Sequence, residues 1–179
     1  MSYQSGLIVL GHPQLISSGT TITFSSIPSV YSHLLLMMDI VSELAATIDT
    51  LRIRFNSDSG ANYNNTGIYS LGGTVTENMT FGDTFGLLGN INGFNSPASR
   101  NSRVWVFIPD YANTNFMKNF ISCSAASGAS ANAASNYTDN KGGIWLSTAA
   151  INTITLSNAG AAVFGSAGNP ADVELCGLV

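Results

Sequence analysis

Charged residues are scarce in this chain, making up 9% of its 179 residues, against about 25% in an average soluble domain. Six lysines and arginines stand against ten acidic residues, which gives a net charge of −4. Nucleic-acid binding needs several phosphates to be neutralised by Lys and Arg, and six scattered cations argue against it. A surface of Ser, Thr, Asn and Gly also repels a second protein weakly and packs closely against it.

Cysteine and histidine are also few. Cys123 and Cys176 lie among small or apolar residues, and their spacing fits no CxxC metal motif. We expect buried free thiols, and a disulfide between them stays open at this point. His12 and His33 have no acidic or Cys neighbour in ligand spacing, so we expect a structural or surface role for each.

Motifs of catalysis are missing as well, since the chain has no GxSxG nucleophile motif and no phosphate-binding loop. Most acidic residues stand beside Gly, Asn or Ser, where Asp forms local backbone hydrogen bonds. Residues 56–62 alternate oxygen-bearing side chains but lack the closing acidic ligand of an EF-hand, so an Asx-type turn explains them better than a calcium site. The sequence therefore predicts a protein that is not an enzyme and uses no cofactor, and it identifies no metal-binding residues, which leaves the binding of a metal ion open.

Long apolar runs are absent too. The run 34–38 stops at Asp39, far short of the roughly 20 residues that cross a bilayer as a helix. No positively charged segment precedes the short apolar run 7–10, so a secretory signal is not indicated. We expect the protein to be synthesised in the cytoplasm, and we expect no insertion into a membrane.

Short strand patterns are what the chain has in abundance. Residues 20–24 and 51–55 alternate polar and apolar side chains and are rich in β-branched or aromatic residues. The other predicted strands are 31–41, 103–108, 115–124, 143–146, 153–157 and 173–178.

Segments rich in Gly, Ser, Asn and Ala separate these strands. The longest, 82–102 and 125–140, are predicted to be loops, and loops of that length are usually functional or ordered by a partner. Helical signals are limited to single turns at 43–47 and 129–135. Many short strands with Gly-rich connections indicate an all-β fold, a jelly-roll-like antiparallel β-sandwich that spans residues 1–179 as a single domain.

The aromatic residues offer the best candidates for binding. Tyr63, Tyr111 and Tyr137 stand beside Asn or Asp in segments predicted to be loops. Such rings stack on sugars, but they also anchor cores and interfaces, and both interpretations stay open for these three. Trp105 and Trp145 lie inside predicted strands, where a core or interface position is the better interpretation.

Four segments resemble the small virion proteins of tailed bacteriophages. They are 25–34 (SSIPSVYSHL), 51–63 (LRIRFNSDSGANY), 108–113 (IPDYAN) and 143–156 (GIWLSTAAINTITL). The four segments occur in the same order along the chain as in that family. None of them is a catalytic signature. At the C-terminus Cys176 stands where such proteins often carry an aromatic residue, at a position that is structural in the family.

The resemblance implies a non-enzymatic structural component of a virion, which oligomerises, often as a trimer, and docks on other virion proteins. The chain length favours a small tail-tip or fibre knob or a capsid decoration protein over a complete fibre. Strand 103–108 is apolar on both faces, so we expect Arg103, Trp105 and Phe107 at the subunit interface. The alternative is a carbohydrate-binding receptor-recognition module on the tail, in which Tyr63, Tyr111 and Tyr137 contact a host-surface glycan.

Overall fold

The computed structural model describes residues 6–11, 19–96, 101–127, 136–165 and 170–179. Within these ranges the chain forms twelve β-strands: β1(Leu7–Gly11), β2(Thr21–Phe24), β3(His33–Ile40), β4(Ile48–Phe55), β5(Tyr63–Leu71), β6(Thr74–Asp83), β7(Gly86–Asn92), β8(Ser102–Pro109), β9(Lys118–Ser127), β10(Asn136–Trp145), β11(Ile154–Asn158) and β12(Asp172–Leu178). These ranges contain no α-helix. The helical turn predicted at 43–47 is therefore wrong, whereas the one at 129–135 lies outside the described residues, as does His12.

The strands form two antiparallel sheets that pack as a sandwich. One sheet has eight strands in the order β1-β12-β3-β8-β9-β10-β5-β6, and the other has four in the order β2-β11-β4-β7. Each pair of neighbouring strands is antiparallel. The predicted all-β, jelly-roll-like sandwich is confirmed.

The core lies between the two sheets and follows from the alternation of side chains along each strand. In β8, Val104, Val106 and Ile108 are buried, so their neighbours along the strand point to the opposite face. The four-stranded sheet contributes Leu51 and Ile53 of β4 to the same core, and both are fully buried. Burial of each such side chain contributes about 1.5–3 kcal/mol. No helix of the described residues is long and apolar enough to cross a membrane.

Strand β7 corrects the prediction that 82–102 is a loop. Its glycines allow close packing onto the eight-stranded sheet: a Cβ on Gly86 would lie 2.5 Å from the Phe120 ring, and one on Gly89 would lie 2.3 Å from Ser124 Oγ. Gly89 also has a φ of +120°, which favours glycine. The predicted loop 125–140 likewise contains the end of β9 and the start of β10.

The two sheets differ in width, and this leaves part of the larger one uncovered. Strand β7, at the edge of the four-stranded sheet, packs over β9 and β10. Beyond it, the inner face of β5 and β6 extends as a ledge, where Tyr69 and Leu71 are only half-buried. A groove therefore runs between the edge of the small sheet and the ledge of the large one.

Candidate functional site

The segments that carry the phage resemblance meet at one end of the sandwich. Trp145 Nε1 donates a hydrogen bond of 2.7 Å to Asp58 Oδ2, which joins the segment 143–156 to the segment 51–63. Asn56 joins them again, because its Nδ2 donates to Ala150 O at 2.8 Å. We call this region the motif cluster and define it by Asn56, Asp58, Tyr63, Tyr111 and Trp145.

Tyr63 belongs to the core, which corrects the prediction that it lies in a loop and contacts glycan. It is the first residue of β5 and is fully buried. Its hydroxyl accepts a 2.9 Å hydrogen bond from Phe55 N, and its ring stacks on Trp145 at 6.5 Å. Burial raises the pKa of Tyr63 to about 12. A ring enclosed in this way has no face left for a sugar.

Tyr111 needs the same correction. It lies in the turn after β8, as the sequence suggests, but its ring is fully buried. Its hydroxyl donates a hydrogen bond to Pro28 O, and its carbonyl accepts one from Ile151 N at 2.9 Å. Tyr111 thus fastens three of the resembling segments together and is closed to ligand.

Asp58 forms the predicted Asx-type turn. Its Oδ1 accepts a 2.8 Å hydrogen bond from Gly60 N, and its Oδ2 accepts from Asn62 Nδ2 at 2.9 Å in addition to Trp145. The hydrogen bond from Trp145 is the main cause that lowers the pKa of Asp58 below its ordinary value. Because both carboxylate oxygens are occupied, the Asx-turn interpretation of this segment is confirmed.

Tyr137 is the one predicted glycan-binding tyrosine that stays accessible. It lies in β10, not in a loop, and is half-buried. Its ring stacks on that of Tyr69 in β5, with centroids 6.3 Å apart and planes inclined by 27°. The two rings line the groove at the edge of the small sheet, whose volume is about 390 Å³.

Polar and cationic side chains surround this pair of rings. Thr50 and Arg52 come from β4, Asn90 from β7, and Lys141 from β10. Lys141 lies across β5 at Gly67, its cross-strand partner, where a Cβ would stand 2.5 Å from the Lys141 Cδ. The glycine therefore leaves the space through which Lys141 reaches the groove.

A buried carboxylate lies beneath the groove. Asp139 is fully buried and accepts hydrogen bonds from Asn90 N at 3.1 Å and from Ser124 Oγ at 3.2 Å. Lys141 Nζ lies 3.6 Å from Asp139 Oδ1 and 5.3 Å from the centre of the Tyr69 ring. A buried carboxylate needs a cation and donors of this kind to persist.

Arg52 forms the opposite wall of the groove. Its guanidinium carbon lies 3.9 Å from the centre of the Phe85 ring, which holds the fork in place. Among the described residues its buried Nε has no hydrogen-bond partner. Burial lowers the pKa of Arg52, and the nearby Asp49 acts in the opposite direction.

The other surface with unusual character is the face of the eight-stranded sheet that points away from the core. We call it the outer face. It consists of two cross-strand rows of three residues: Leu35, Phe107 and Ile121, then Met37, Trp105 and Cys123. Trp105 is 45% exposed and Ile121 is 53% exposed. A central part of a sheet thus presents apolar side chains to solvent.

Arg103, Trp105 and Phe107 lie together along this face, alternating with the buried residues of β8. Arg103 borders the rows and forms a 2.6 Å ion pair with Asp39. Phe107 packs against the ring of His33, whose Nδ1 accepts a hydrogen bond from Asp110 N. The structure therefore brings the three predicted interface residues to one surface, and the interface itself stays a prediction.

Both thiols are free, which settles the open question of a disulfide. Cys176 is buried as expected, and burial followed by the nearby Glu174 raises its pKa to about 12. Cys123 is only half-buried, because it lies on the outer face beside Trp105. No group of three or more His, Cys, Asp or Glu side chains in the described ranges is arranged to hold a metal ion.

Sequence reasoning missed most of the groove. Tyr69, Arg52 and Lys141 were not predicted as binding residues, and Tyr137 was expected in a loop. One signal was present, since Tyr137, Asp139 and Lys141 alternate with small polar residues and so share one face of a strand. The length of the surrounding segment 125–140 and its content of Ala, Ser and Asn favoured a loop instead.

No protein-family model and no curated protein matches this chain at the sequence level. Among solved structures, galectin LEC-6 of Caenorhabditis elegans is 9% identical, covers 100% of this chain and 99% of its own, and has a TM-score of 0.33. A double mutant of congerin II is 15% identical, with coverages of 87% and 98% and a TM-score of 0.31. A toad ovary galectin in complex with thio-digalactose is 10% identical, with coverages of 78% and 100% and a TM-score of 0.25. TM-scores this low support no conclusion about function, and the fold assignment rests on the strand pairing itself.

Proposed function

We propose that this domain is a non-enzymatic structural component of a tailed-phage virion, either a tail-tip or fibre knob or a capsid decoration protein. It acts by forming a homotrimer and docking on other virion proteins. The exposed apolar outer face is the observation that carries the assembly. The resemblance of four segments, now seen to form one cluster, supports the phage particle as its location.

The outer face has the composition of an interface. Monomeric soluble proteins rarely expose contiguous apolar patches larger than a few hundred Å². Trp, Met and Arg are enriched where proteins meet, and an aromatic anchor near the centre usually provides much of the binding energy. Trp105 has this central position, with Met37 on one neighbouring strand and Cys123 on the other.

A free sheet edge provides a second means of assembly. Strand β6 is ten residues long, is almost entirely exposed, and within the described ranges pairs only with β5. Val75, Met79 and Phe81 project from it with more than half of their surface exposed. Monomeric proteins usually protect such an edge with Pro, charge or a bulge, and β6 has Glu77 in its middle and a register shift near Asp83. An unpaired edge of this length and composition is suited to pairing with a neighbouring protein.

The oligomeric state tests this proposal. Multi-angle light scattering of the purified protein should give the mass of a trimer, and Trp105→Ser combined with Phe107→Ser should give the mass of a monomer. Val30→Ser is the control, because Val30 is an apolar residue that is 74% exposed, more than Trp105, but lies outside the outer face. A wild-type monomer with no affinity for phage particles would contradict the proposal. A density map of the assembled particle then distinguishes tail from capsid.

Glycan binding is the second candidate function, and the Tyr69–Tyr137 pair in the groove is the observation that favours it. Stacked aromatic rings offer an apolar face to the C–H side of a sugar ring. Thr50, Asn78 and Asn90 line the same groove and carry groups that hydrogen-bond to hydroxyls. The two functions are compatible, because the groove and the outer face belong to opposite faces of the eight-stranded sheet.

A glycan array tests this second function. Wild-type protein should bind at least one glycan class, and Tyr137→Ala should abolish that binding while leaving the oligomeric state unchanged. Phe116→Ala serves as the control, since Phe116 is an exposed aromatic residue outside the groove. Binding that survives Tyr137→Ala and Tyr69→Ala would exclude the groove as the glycan site.

A further inference from the structure

We propose that the groove selects acidic glycans, and that the carboxylate of a uronic or sialic acid binds between Arg52 and Lys141. This inference rests on the glycan-binding candidate function and names its ligand class. A sugar ring would stack on the Tyr69–Tyr137 pair, and its carboxylate would meet the two cations that line the same groove.

The charge of the groove is opposite in sign to that of the chain. The protein has a net charge of −4, yet two of its six lysines and arginines line this one groove. Asp139 is the acidic residue beneath it, and its oxygens already accept bonds from Asn90 and Ser124. The groove therefore holds two positive charges against one buried, hydrogen-bonded carboxylate.

The other acidic groups close to Arg52 are turned to different partners. Asp49 is buried and accepts hydrogen bonds from Ser42 Oγ at 2.7 Å and Thr50 N at 2.8 Å. Asp83 accepts from Asn65 Nδ2 at 3.0 Å. Neither lines the groove. Among the described residues no carboxylate forms an ion pair with Arg52.

Arg52 is prepared to receive an anion. Stacking on Phe85 fixes the plane of its guanidinium, so little side-chain entropy is lost when a ligand binds. Its Nε is buried and unsatisfied among the described residues, and an unmet buried donor is costly. Because the Nε itself is buried, a carboxylate in the groove would accept from the terminal nitrogens of the guanidinium through charge-assisted hydrogen bonds.

Lys141 provides the second contact. Its side chain is only 7% exposed, yet its Nζ lies 3.6 Å from Asp139 Oδ1, which is longer than a hydrogen bond. An ammonium group has three donors, and the described residues offer this one no closer acceptor. A ligand carboxylate in the groove would supply one. Lys141 also neutralises part of the charge of Asp139. The experiment must therefore separate ligand binding by Lys141 from its stabilisation of Asp139.

Paired ligands that differ only in charge test the inference. Isothermal titration calorimetry would compare tetragalacturonate with its methyl ester, and sialyllactose with the methyl ester of its carboxyl group. We expect the acidic member of at least one pair to bind about tenfold tighter or better, as a charge-assisted bidentate contact requires. Added salt should narrow the difference, because it screens the ion pair.

Variants then assign the selectivity to the groove. Arg52→Gln should reduce the preference for the acidic ligand, and Arg52→Lys should keep part of it. Lys141→Met would leave Asp139 buried and uncompensated, so it is paired with Asp139→Asn to preserve the fold. Arg103→Gln is the control, because it removes an exposed cation from the outer face.

The outcomes separate this inference from the function on which it rests. Equal binding of acidic and neutral partners overturns the acidic selectivity and leaves glycan binding in place. A preference that survives both Arg52→Gln and the Lys141→Met, Asp139→Asn pair overturns the assignment to this groove. If all four ligands fail to bind and the array is blank as well, the glycan-binding function itself is overturned.

Discussion

The ladder formed by β5 and β10 has two ends, and the same residue types have opposite roles there. At one end Tyr63 pairs with Trp145 inside the motif cluster, and at the other Tyr137 pairs with Leu71 beside the groove. The first tyrosine is enclosed by Phe55 and Trp145, whereas the second is half-buried and stacked on Tyr69. The difference comes from coverage, because the small sheet packs over the first end and stops before the second.

This contrast shows that the recognisable segments are the folding segments. Asn56, Asp58 and Tyr111 are polar residues that the sequence places in turns, and each uses its polar atoms to hold one segment to another. Tyr69, Tyr137 and Lys141 lie outside all four resembling segments. Arg52 is the exception, because it lies within the segment 51–63 and also lines the groove. Apart from Arg52, the residues that resemble the family are not the ones that line the groove.

Removal of Trp145 should have the largest effect on stability. Trp145→Ala deletes a buried ring that packs on Phe55 at 5.7 Å and bonds Asp58, so we expect a loss of about 3–5 kcal/mol in the free energy of unfolding. Urea denaturation measures it. Phe116→Ala is the matched control, because Phe116 is an aromatic residue that is 68% exposed. A similar loss in both variants would contradict the tight packing of the motif cluster.

A methyl group added at Gly143 should have the second largest effect on stability. A Cβ there would lie 2.1 Å from Phe120 Cζ, whereas one on Gly142 has no heavy atom closer than 3.8 Å. We expect Gly143→Ala to cost about 1–3 kcal/mol through overpacking and Gly142→Ala to cost little. Thermal unfolding of the two variants side by side measures the difference. Equal melting temperatures would mean that Phe120 can move aside.

Asp58→Asn should have a smaller effect that depends on pH. The pKa of Asp58 is lowered in the folded protein, mainly by the Trp145 hydrogen bond, so its stabilisation is present above its ordinary value of 3.8 and is lost as pH falls through the lowered folded value. We expect a loss of about 1 kcal/mol near neutral pH, shrinking in acid. Unfolding curves of both proteins across that range test it, and a difference that is constant with pH would contradict the assignment.

Tyr137→Ala should have the smallest effect on stability. Its ring is half-buried and makes no hydrogen bond with the described residues, so we expect a change below about 1 kcal/mol. The same substitution should abolish glycan binding. Urea denaturation and the glycan array, run on one preparation, measure both. A large loss of stability would show that this end of the ladder also belongs to the core.

Alternation along the chain predicted the strands that have one buried face. Residues 51–55 and 103–108 extend into β4 and β8, and 20–24 becomes β2. Strands β5, β6 and β7 were missed for physical reasons. Strand β6 carries Val75, Met79 and Phe81 on one face, but neither of its faces is buried, so this alternation does not mark a core strand. The glycines of β7 permit close packing but are typical of turns.

The groove could not be predicted because it depends on the relative width of the two sheets. Arg52 and Lys141 lie 89 positions apart in sequence, and only the ending of the small sheet at β7 places them on one cavity. Tyr63 and Tyr111 were misplaced because polar neighbours usually mark solvent. Here the polar groups of these segments form hydrogen bonds within the motif cluster and do not face solvent.

Because the two sheets differ in width, the eight-stranded sheet has an accessible surface on each of its faces: the outer face on one and the groove on the other. Subunits that pack through the outer face leave the groove side of β5 and β10 pointing outward, so a trimer of this domain would present three grooves at once. When one groove is occupied, the other two meet a nearby ligand at high effective concentration. Avidity of this kind can exceed a single-site affinity by about 10²–10⁴-fold without any new contact. If the proposed trimer and its sugar binding hold, a shallow groove with weak individual binding would be sufficient for the assembly to hold firmly to a surface that repeats the same sugar.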